Sequence, residues 1–361
     1  MKISLVIIAL ALTISCCNSK TEITANKVRP DYCPSNNSWE KLTLQNAGFD
    51  KNLFEIMDKR LSEEKQINAV AILRNGYRVY EFYRTGYSFE SVFNIFSCTK
   101  TVTGAVAGIA IDQGYIDNVN VPVKDLIKDY TKESAGKYKG GINLSHLLSM
   151  TSGLDWPEST KWNHFFRPMI DSGNWIEFVL GRKTESKPGT VFNYNSGTSH
   201  LVSYIVQNCT GQKSALFADK YLFSRIGIRS VNWPDDPQGV SNGAAWIEMS
   251  VSDAARFGLL YLRDGRWNGE QIISREWVRE STRKQSDGAV YPNGRGGSYG
   301  YLWWLNEYNG YPVFFAWGAR EQYIFVVPDL QLVAVFSSAF NGTPAMTPPE
   351  YMREYVIAGC K

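Results

Sequence analysis

Histidine is scarce in this chain. There are three in 361 residues, His146, His164 and His200. A Ser-His-Asp triad has no good candidate among them, and His146 falls on a short apolar helix after the cap Asn143, a structural setting. Cysteine is also sparse. Cys33, Cys209 and Cys360 lie far apart, with no C-x-x-C and no cysteine–histidine spacing, so a zinc site is not expected. Charge of one sign is lacking too. Lysine and arginine number 38 against 35 acidic residues, a formal charge of +3, and no basic cluster is dense enough for nucleic acid. No internal repeat is visible. The apolar run from Ile3 to Ile14 is too short to span a bilayer.

What that run does fit is an export signal. In "MKISLVIIALALTISCCNSK" a positive Lys2 precedes a short apolar core and small residues. Ser15-Cys16 resembles a bacterial lipobox, with Thr13 where that pattern prefers leucine and Cys17 adjacent. The expectation is a signal over residues 1–17, lipidation of Cys16, a polar tether over 18–40 and one folded domain over 41–361. Such a protein is held to the membrane of the cell envelope by its N-terminal lipid. An ordinary cleaved signal would leave it in the periplasm. Export permits a disulfide, and Cys33 with Cys360 would tie the two chain ends.

The 44% apolar and 20% charged residues are an ordinary globular balance. Strand signals gather at both ends. Asn75-Gly76 between Ala69–Arg74 and Tyr77–Tyr83 predicts a hairpin with a type I′ turn. Strands are predicted over Tyr299–Leu305, Val313–Ala316, Gln322–Val327 and Gln331–Ser337, with turns at Asn309-Gly310 and Pro328-Asp329. Helical spacing governs Leu201–Cys209 before Gly211 and Val251–Leu262 before Gly265, with Ser250 and Asp253 as a capping pair. The economical fold is α/β of the α+β type. An antiparallel β-sheet is built from both chain ends (about 41–125 and 286–361) and flanked by helices, with a mostly α-helical domain (about 126–285) inserted. A cleft is expected where the two parts meet.

The chemistry starts at "FNIFSCTKTVTGAVAGIAID", Phe93 to Asp112. Val102, Ala105, Val106, Ile109 and Ala110 trace an apolar face, and small residues fill most other positions, so this helix is buried nearly all round. Ser97 and Lys100, three apart, point the same way at its N-terminal end. There free N–H groups and the dipole favour developing negative charge. A lysine deprived of water favours its neutral form and takes a proton from serine. The bland alternative is a capping serine beside a solvated lysine. Two further features favour the chemical reading. Tyr194 stands in a turn before a helix, where a phenol can relay a proton. Near "VFFAWGAREQY" a strand edge offers the N–H of Ala319 to complete an oxyanion hole with that of Ser97. "GGSYG", Gly296 to Gly300, matches a nucleophile elbow in letters only, because a strand follows it instead of a helix.

These motifs resemble, in order, those of class C β-lactamase-related serine hydrolases in the β-lactamase and penicillin-binding-protein-like superfamily. They are Ser97-Cys98-Thr99-Lys100, Ile142–Leu154, Pro188–Gly197, Ser250–Ser274 and Ala316-Trp317-Gly318. The resemblance implies Ser97 as acylated nucleophile, Lys100 and Tyr194 as acid and base, and an exported enzyme with no metal and no cofactor. It places Asn195, Ser196, Trp317 and Gly318 along the substrate cleft. Two departures bear on substrate. Tyr194-Asn195-Ser196 lacks the asparagine of Tyr-x-Asn, and Ala316 stands where lactamases and peptidases carry lysine or histidine. The esterase and nylon-oligomer hydrolase branches are closer in motif. Glu321, where related chains tend to carry glycine, is expected to narrow the cleft. Trp156, Trp162, Trp303, Trp304 and Trp317 are candidates to line it, core packing being the alternative for each. The expected partner is a small ester or amide. A D-alanyl peptidase or weak β-lactamase is the rival enzyme, and an inactive envelope-binding protein on this fold the rival of another class.

Overall fold

The computed structural model describes residues 28–29, 31–35, 38–127, 141–156, 158, 166–229, 231–338 and 345–361. The export signal with Cys16, and Trp162 and His164, lie outside them. Eight strands form one sheet in the order β2-β1-β12-β11-β10-β9-β8-β7. They are β1 (Ile67–Arg74), β2 (Tyr77–Tyr83), β7 (Ser286–Tyr291), β8 (Arg295–Tyr299), β9 (Trp304–Tyr308), β10 (Tyr311–Gly318), β11 (Gln322–Val327) and β12 (Leu332–Ser338). Two small ribbons stand apart: β3 (Val92–Asn94) with β4 (Glu248–Ser250), and β5 (Arg266–Trp267) with β6 (Glu270–Gln271). Every pairing in the large sheet is antiparallel, and β1 joins β12, so both ends of the chain build it.

The local signals that punctuate the sheet behave as expected. Asn75 and Gly76 take φ of 53° and 85°, and Asn309 and Gly310 take 52° and 82°, the left-handed pair a type I′ turn requires. One strand differs. Tyr299–Leu305 is broken, because Leu302 sits at φ 62° in a turn between β8 and β9. That turn is held by other elements: Leu302 N–H donates to Leu148 O at 2.9 Å, and its carbonyl accepts from Thr101 Oγ1 at 3.0 Å. The five residues of "GGSYG" lie in β8 and the start of this turn, which removes the nucleophile elbow.

Helices that matter here are α1 (Lys51–Glu63), α2 (Cys98–Asp112), α3 (Leu144–Leu148), α4 (Trp175–Leu180), α5 (Ser196–Thr210) and α6 (Val251–Leu262). Helix α6 lies on the sheet: a methyl at Gly258 would come within 2.7 Å of Val333 and 2.9 Å of Ile324. Helix α5 ends at Gly211, in the left-handed conformation at φ 69°. Helix α2 buries thirteen of its fifteen residues, as its small side chains foretold.

The ends depart from expectation. Tyr32 and Trp39, within the stretch expected to be tether, pack on the domain: Tyr32 stacks on Tyr77 with centroids 4.3 Å apart, and Trp39 Nε1 donates to Ser252 Oγ at 3.2 Å. Their aromatic rings bury too much apolar surface to stay in water. Cys33 and Cys360 are both free thiols. Cys360 Sγ instead accepts from Arg74 at 2.6 Å. No helix among the described residues is long and apolar enough to cross a membrane.

Candidate active site

Phe96, at φ 46°, turns the chain sharply into Ser97, which caps α2 without using its side chain. The hydroxyl is therefore free for chemistry. Lys100, one turn on and 1% exposed, brings Nζ to 3.0 Å from Ser97 Oγ. Nζ also donates to the Ala244 carbonyl at 2.8 Å. Both contacts are to neutral oxygens, so neither supplies the opposite charge an ammonium would want. Burial pushes the Lys100 pKa down to about 8.

The Ala244 carbonyl is held by a ledge of chain, residues 241–247, lying across α2 and α5. Asn242 Oδ1 accepts from Ala244 N at 2.9 Å and Ala245 N at 3.3 Å. Gly243 O accepts from Thr103 Oγ1 at 3.1 Å, and Ile247 N donates to Thr99 Oγ1 at 3.0 Å. Beneath it, His200 Nδ1 accepts from Gly243 N at 3.3 Å, and Nε2 lies 2.9 Å from Asp236 Oδ2. That pairing places the ring proton on Nε2. His200 and Asp236 are buried and hold the ledge at Gly243.

Tyr194 lies on the opposite side. Its hydroxyl is directed at Ser97, and Lys100 Nζ sits 4.9 Å from its ring centroid. Burial lifts its phenol well above the ordinary value, with Tyr299 and Glu158 adding to the rise, so it stays protonated. The next two residues face inward. Asn195, 1% exposed, caps α5 by accepting from Thr198 N at 2.9 Å. Ser196, also 1% exposed, gives its N–H and its hydroxyl to Glu158 at 2.8 and 2.6 Å. Both residues shape the turn that presents Tyr194, and neither offers an open side chain to the cleft.

Across the cleft, β10 ends against Ser97. A methyl on Gly318 would lie 2.3 Å from Ile95 O and 3.2 Å from Ser97 N, so only glycine permits this approach. Ala319 follows directly, which sets its amide at the strand end beside Ser97. Trp317 is half-buried and continues an aromatic wall: Trp304 at 5.7 Å, Tyr291 at 5.4 Å, and Tyr194 stacked on Trp304 at 5.8 Å between centroids. Trp156 and Trp303 are core residues at 0% exposure. Ala316 is buried and brings no cation. Glu321 does not stand in the cleft. It is 8% exposed and pairs with Arg295 of β8, which is how a buried carboxylate is tolerated. Arg320 is exposed, with its guanidinium 5.1 Å from the Phe96 ring centroid at the mouth.

Among the described residues no group of three or more histidines, cysteines or carboxylates could hold a metal. Three contributors escape a reading of the sequence: Glu158, the His200–Asp236 pair and the Ala244 carbonyl. Each reaches the site from a distant stretch of chain. Only Glu158, two residues from the indole it binds, had a local partner to betray it; Trp156 Nε1 donates to its Oε2 at 2.7 Å.

A family model described as Beta-lactamase matches residues 57–357. A 6-aminohexanoate-dimer hydrolase from Paenarthrobacter ureafaciens is 25% identical over 271 residues, 69% of this chain. The match spans 66% of that relative's own length, just under two thirds. Among solved structures, a Bacillus anthracis protein named for the same activity superposes with a TM-score of 0.71 at 22% identity, covering 92% of this chain and 88% of that one. EstCE1, a hydrolase with promiscuous acyltransferase activity, gives 0.69 at 16% identity, covering 86% and 98%. These structural likenesses are likenesses of fold.

Proposed function

Because this chain belongs to the Beta-lactamase family, whose model matches residues 57–357, we propose that it is an exported serine hydrolase that cleaves a small ester or amide through a Ser97 acyl-enzyme. The observation that carries this is the water-poor Lys100 amine 3.0 Å from Ser97 Oγ, its pKa pushed down to about 8. A neutral amine there takes the hydroxyl proton as Oγ bonds to the substrate carbonyl carbon. The carbonyl oxygen becomes an oxyanion, received by the N–H groups of Ser97 and Ala319 at the start of α2 and the end of β10. The proton is handed by way of Tyr194 to the leaving oxygen or nitrogen as its bond to carbon breaks. Water then attacks the acyl carbon and gives up a proton to the same pair, which returns one to Ser97 Oγ as the acyl bond breaks and the acid leaves.

The substrate reading follows from the wall. With Ala316 in place of a cation and Trp317 beside the nucleophile, the cleft suits an uncharged or apolar group next to the scissile carbonyl. Linear amides belong in the test, since one relative is named for hydrolysing the 6-aminohexanoate dimer. Lipidation of Cys16 would place the enzyme at the envelope membrane, and loss of both Cys16 and Cys17 should release it from the membrane fraction. The deciding experiment is intact mass after a fluorophosphonate probe. Wild type should gain one adduct, Ser97→Ala none, and Lys100→Ala should lose hydrolysis while keeping its circular dichroism. Labelling that persists in Ser97→Ala would sink the assignment.

A further inference from the structure

We propose that Glu158 is a positioning residue of the acylation step, a buried carboxylate that locks the Tyr194-Asn195-Ser196 turn and supplies the counter-charge for the ammonium formed on Lys100. The inference rests on Ser97 being the nucleophile. Glu158 is 4% exposed, yet three donors converge on it from two stretches of chain. Oε2 accepts from Trp156 Nε1 at 2.7 Å and from Ser196 N at 2.8 Å, and Oε1 accepts from Ser196 Oγ at 2.6 Å. The Ser196 bonds fix the residue two beyond Tyr194 at the first turn of α5, so the phenol's aim depends on them.

The charge has a separate consequence. Acylation moves a proton from Ser97 Oγ to Lys100 Nζ and creates a cation in a site whose direct contacts are neutral oxygens. Burying such a cation unpaired is costly. Glu158 is the anion felt at Lys100, where it favours the charged amine, and at Tyr194, where it opposes loss of the phenolic proton. Among the described residues, the other titratable groups facing this cluster are neutral. Cys98, on the same helix, is kept as a thiol by burial. Tyr299 and Tyr291, from β8 and β7, face Glu158 and are held as phenols. The ledge presents carbonyls and amides, and the Glu321–Arg295 pair is closed on itself. Glu158 thus makes Lys100 a better proton acceptor and keeps Tyr194 a donor, without touching either reacting atom.

The test is the rate of fluorophosphonate labelling against pH. Glu158→Gln keeps one oxygen to accept from Ser196 N and Trp156 Nε1, removes the charge, and turns an NH2 toward Ser196 Oγ, which must then accept instead of donate. Its acidic limb should move to lower pH by roughly 0.5–1 unit. Its plateau should fall by roughly threefold, because a less basic amine accepts a proton less readily. Ser196→Ala keeps the charge and loses one bond, and its limb should stay where the wild type's is. Glu158→Asp, which covers the case of a Gln variant that does not fold, should also keep the limb and slow the plateau through poorer aim. An unmoved limb in Glu158→Gln with a lowered Tm would reduce Glu158 to a clamp. An equal shift in Ser196→Ala would assign the effect to geometry. Either overturns the proposal, whereas a wild type that labels at no pH overturns the nucleophile assignment beneath it.

Discussion

Lys100 is kept out of water at a cost to folding, and in the proposed mechanism that cost makes it the base. Two measurements follow from its pKa near 8 against an ordinary 10.5. First, kcat/KM for a p-nitrophenyl ester should climb with pH through a limb near 8, since only the neutral amine accepts the Ser97 proton. Tyr194→Phe keeps the ring against Trp304 but removes the relay, and should cost roughly 10²–10⁴-fold in turnover. Unchanged turnover would make Tyr194 structural. Second, stability should carry the same signature. Between about 8 and 10.5 the unfolded chain binds more protons at this residue than the folded one, so stability rises with pH across that window. Below it the penalty is present in full. Lys100→Met has no such group, so its Tm advantage over wild type should shrink between pH 8 and pH 10. A difference that ignores pH would mean that Lys100 is solvated.

Among the elements, the site is a meeting of the α2 N-terminus with the end of β10, and Gly318 sets how closely they approach. Gly318→Ala forces its methyl to 2.3 Å from Ile95 O unless the strand retreats. Displacement by about 1 Å is worth on the order of a hundredfold in rate. That loss is expected in kcat/KM, with circular dichroism preserved; a variant that loses Tm but keeps its rate would show that β10 does not set the geometry. The ledge offers a parallel case. A methyl on Gly243 would meet Ser199 O at 2.5 Å and Ser203 Cβ at 2.7 Å, and Gly243→Ala should cost about 1–3 kcal/mol in denaturant unfolding. What was legible beforehand follows a physical rule. Asn75-Gly76, Gly211 and the Ser97–Lys100 spacing act within a few residues of themselves, so the chain displays them openly. Glu158 meets Ser196 38 positions away, His200 meets Asp236 36 away, and Lys100 meets Ala244 144 away. Such contacts exist only once the helices have packed. The broken strand at 299–305 is of the same kind, since Leu302 is bent by partners on α2 and α3.

At the scale of the whole molecule, the proposed substrate class rests on the aromatic wall and the missing cation. A cation at position 316 would hold a substrate carboxylate by roughly 1.5–3 kcal/mol. Its absence should lower discrimination for the anion by about one to two powers of ten. On one preparation, short-chain p-nitrophenyl esters should therefore turn over measurably and a chromogenic cephalosporin far more slowly. Arg320 over Phe96 is the one exposed cation described at the mouth, and Arg320→Gln tests whether it rescues anion binding. Efficient cephalosporin hydrolysis that Arg320→Gln abolishes would reverse the substrate reading. The sheet that carries this cleft has a temporal property as well. Arg74 pairs with Leu332, so β1 lies between its early neighbour β2 and a partner made 258 positions later. During synthesis the edge of "INAVAILR" waits on the order of ten to fifty seconds for β12. Pairing so distant in sequence also makes refolding slow. The hairpin at Asn75-Gly76 can close early, but an unpaired apolar edge is a template for the wrong strand. Yield on refolding should accordingly fall as protein concentration rises, and an excess of the free β12 peptide should compete for that edge.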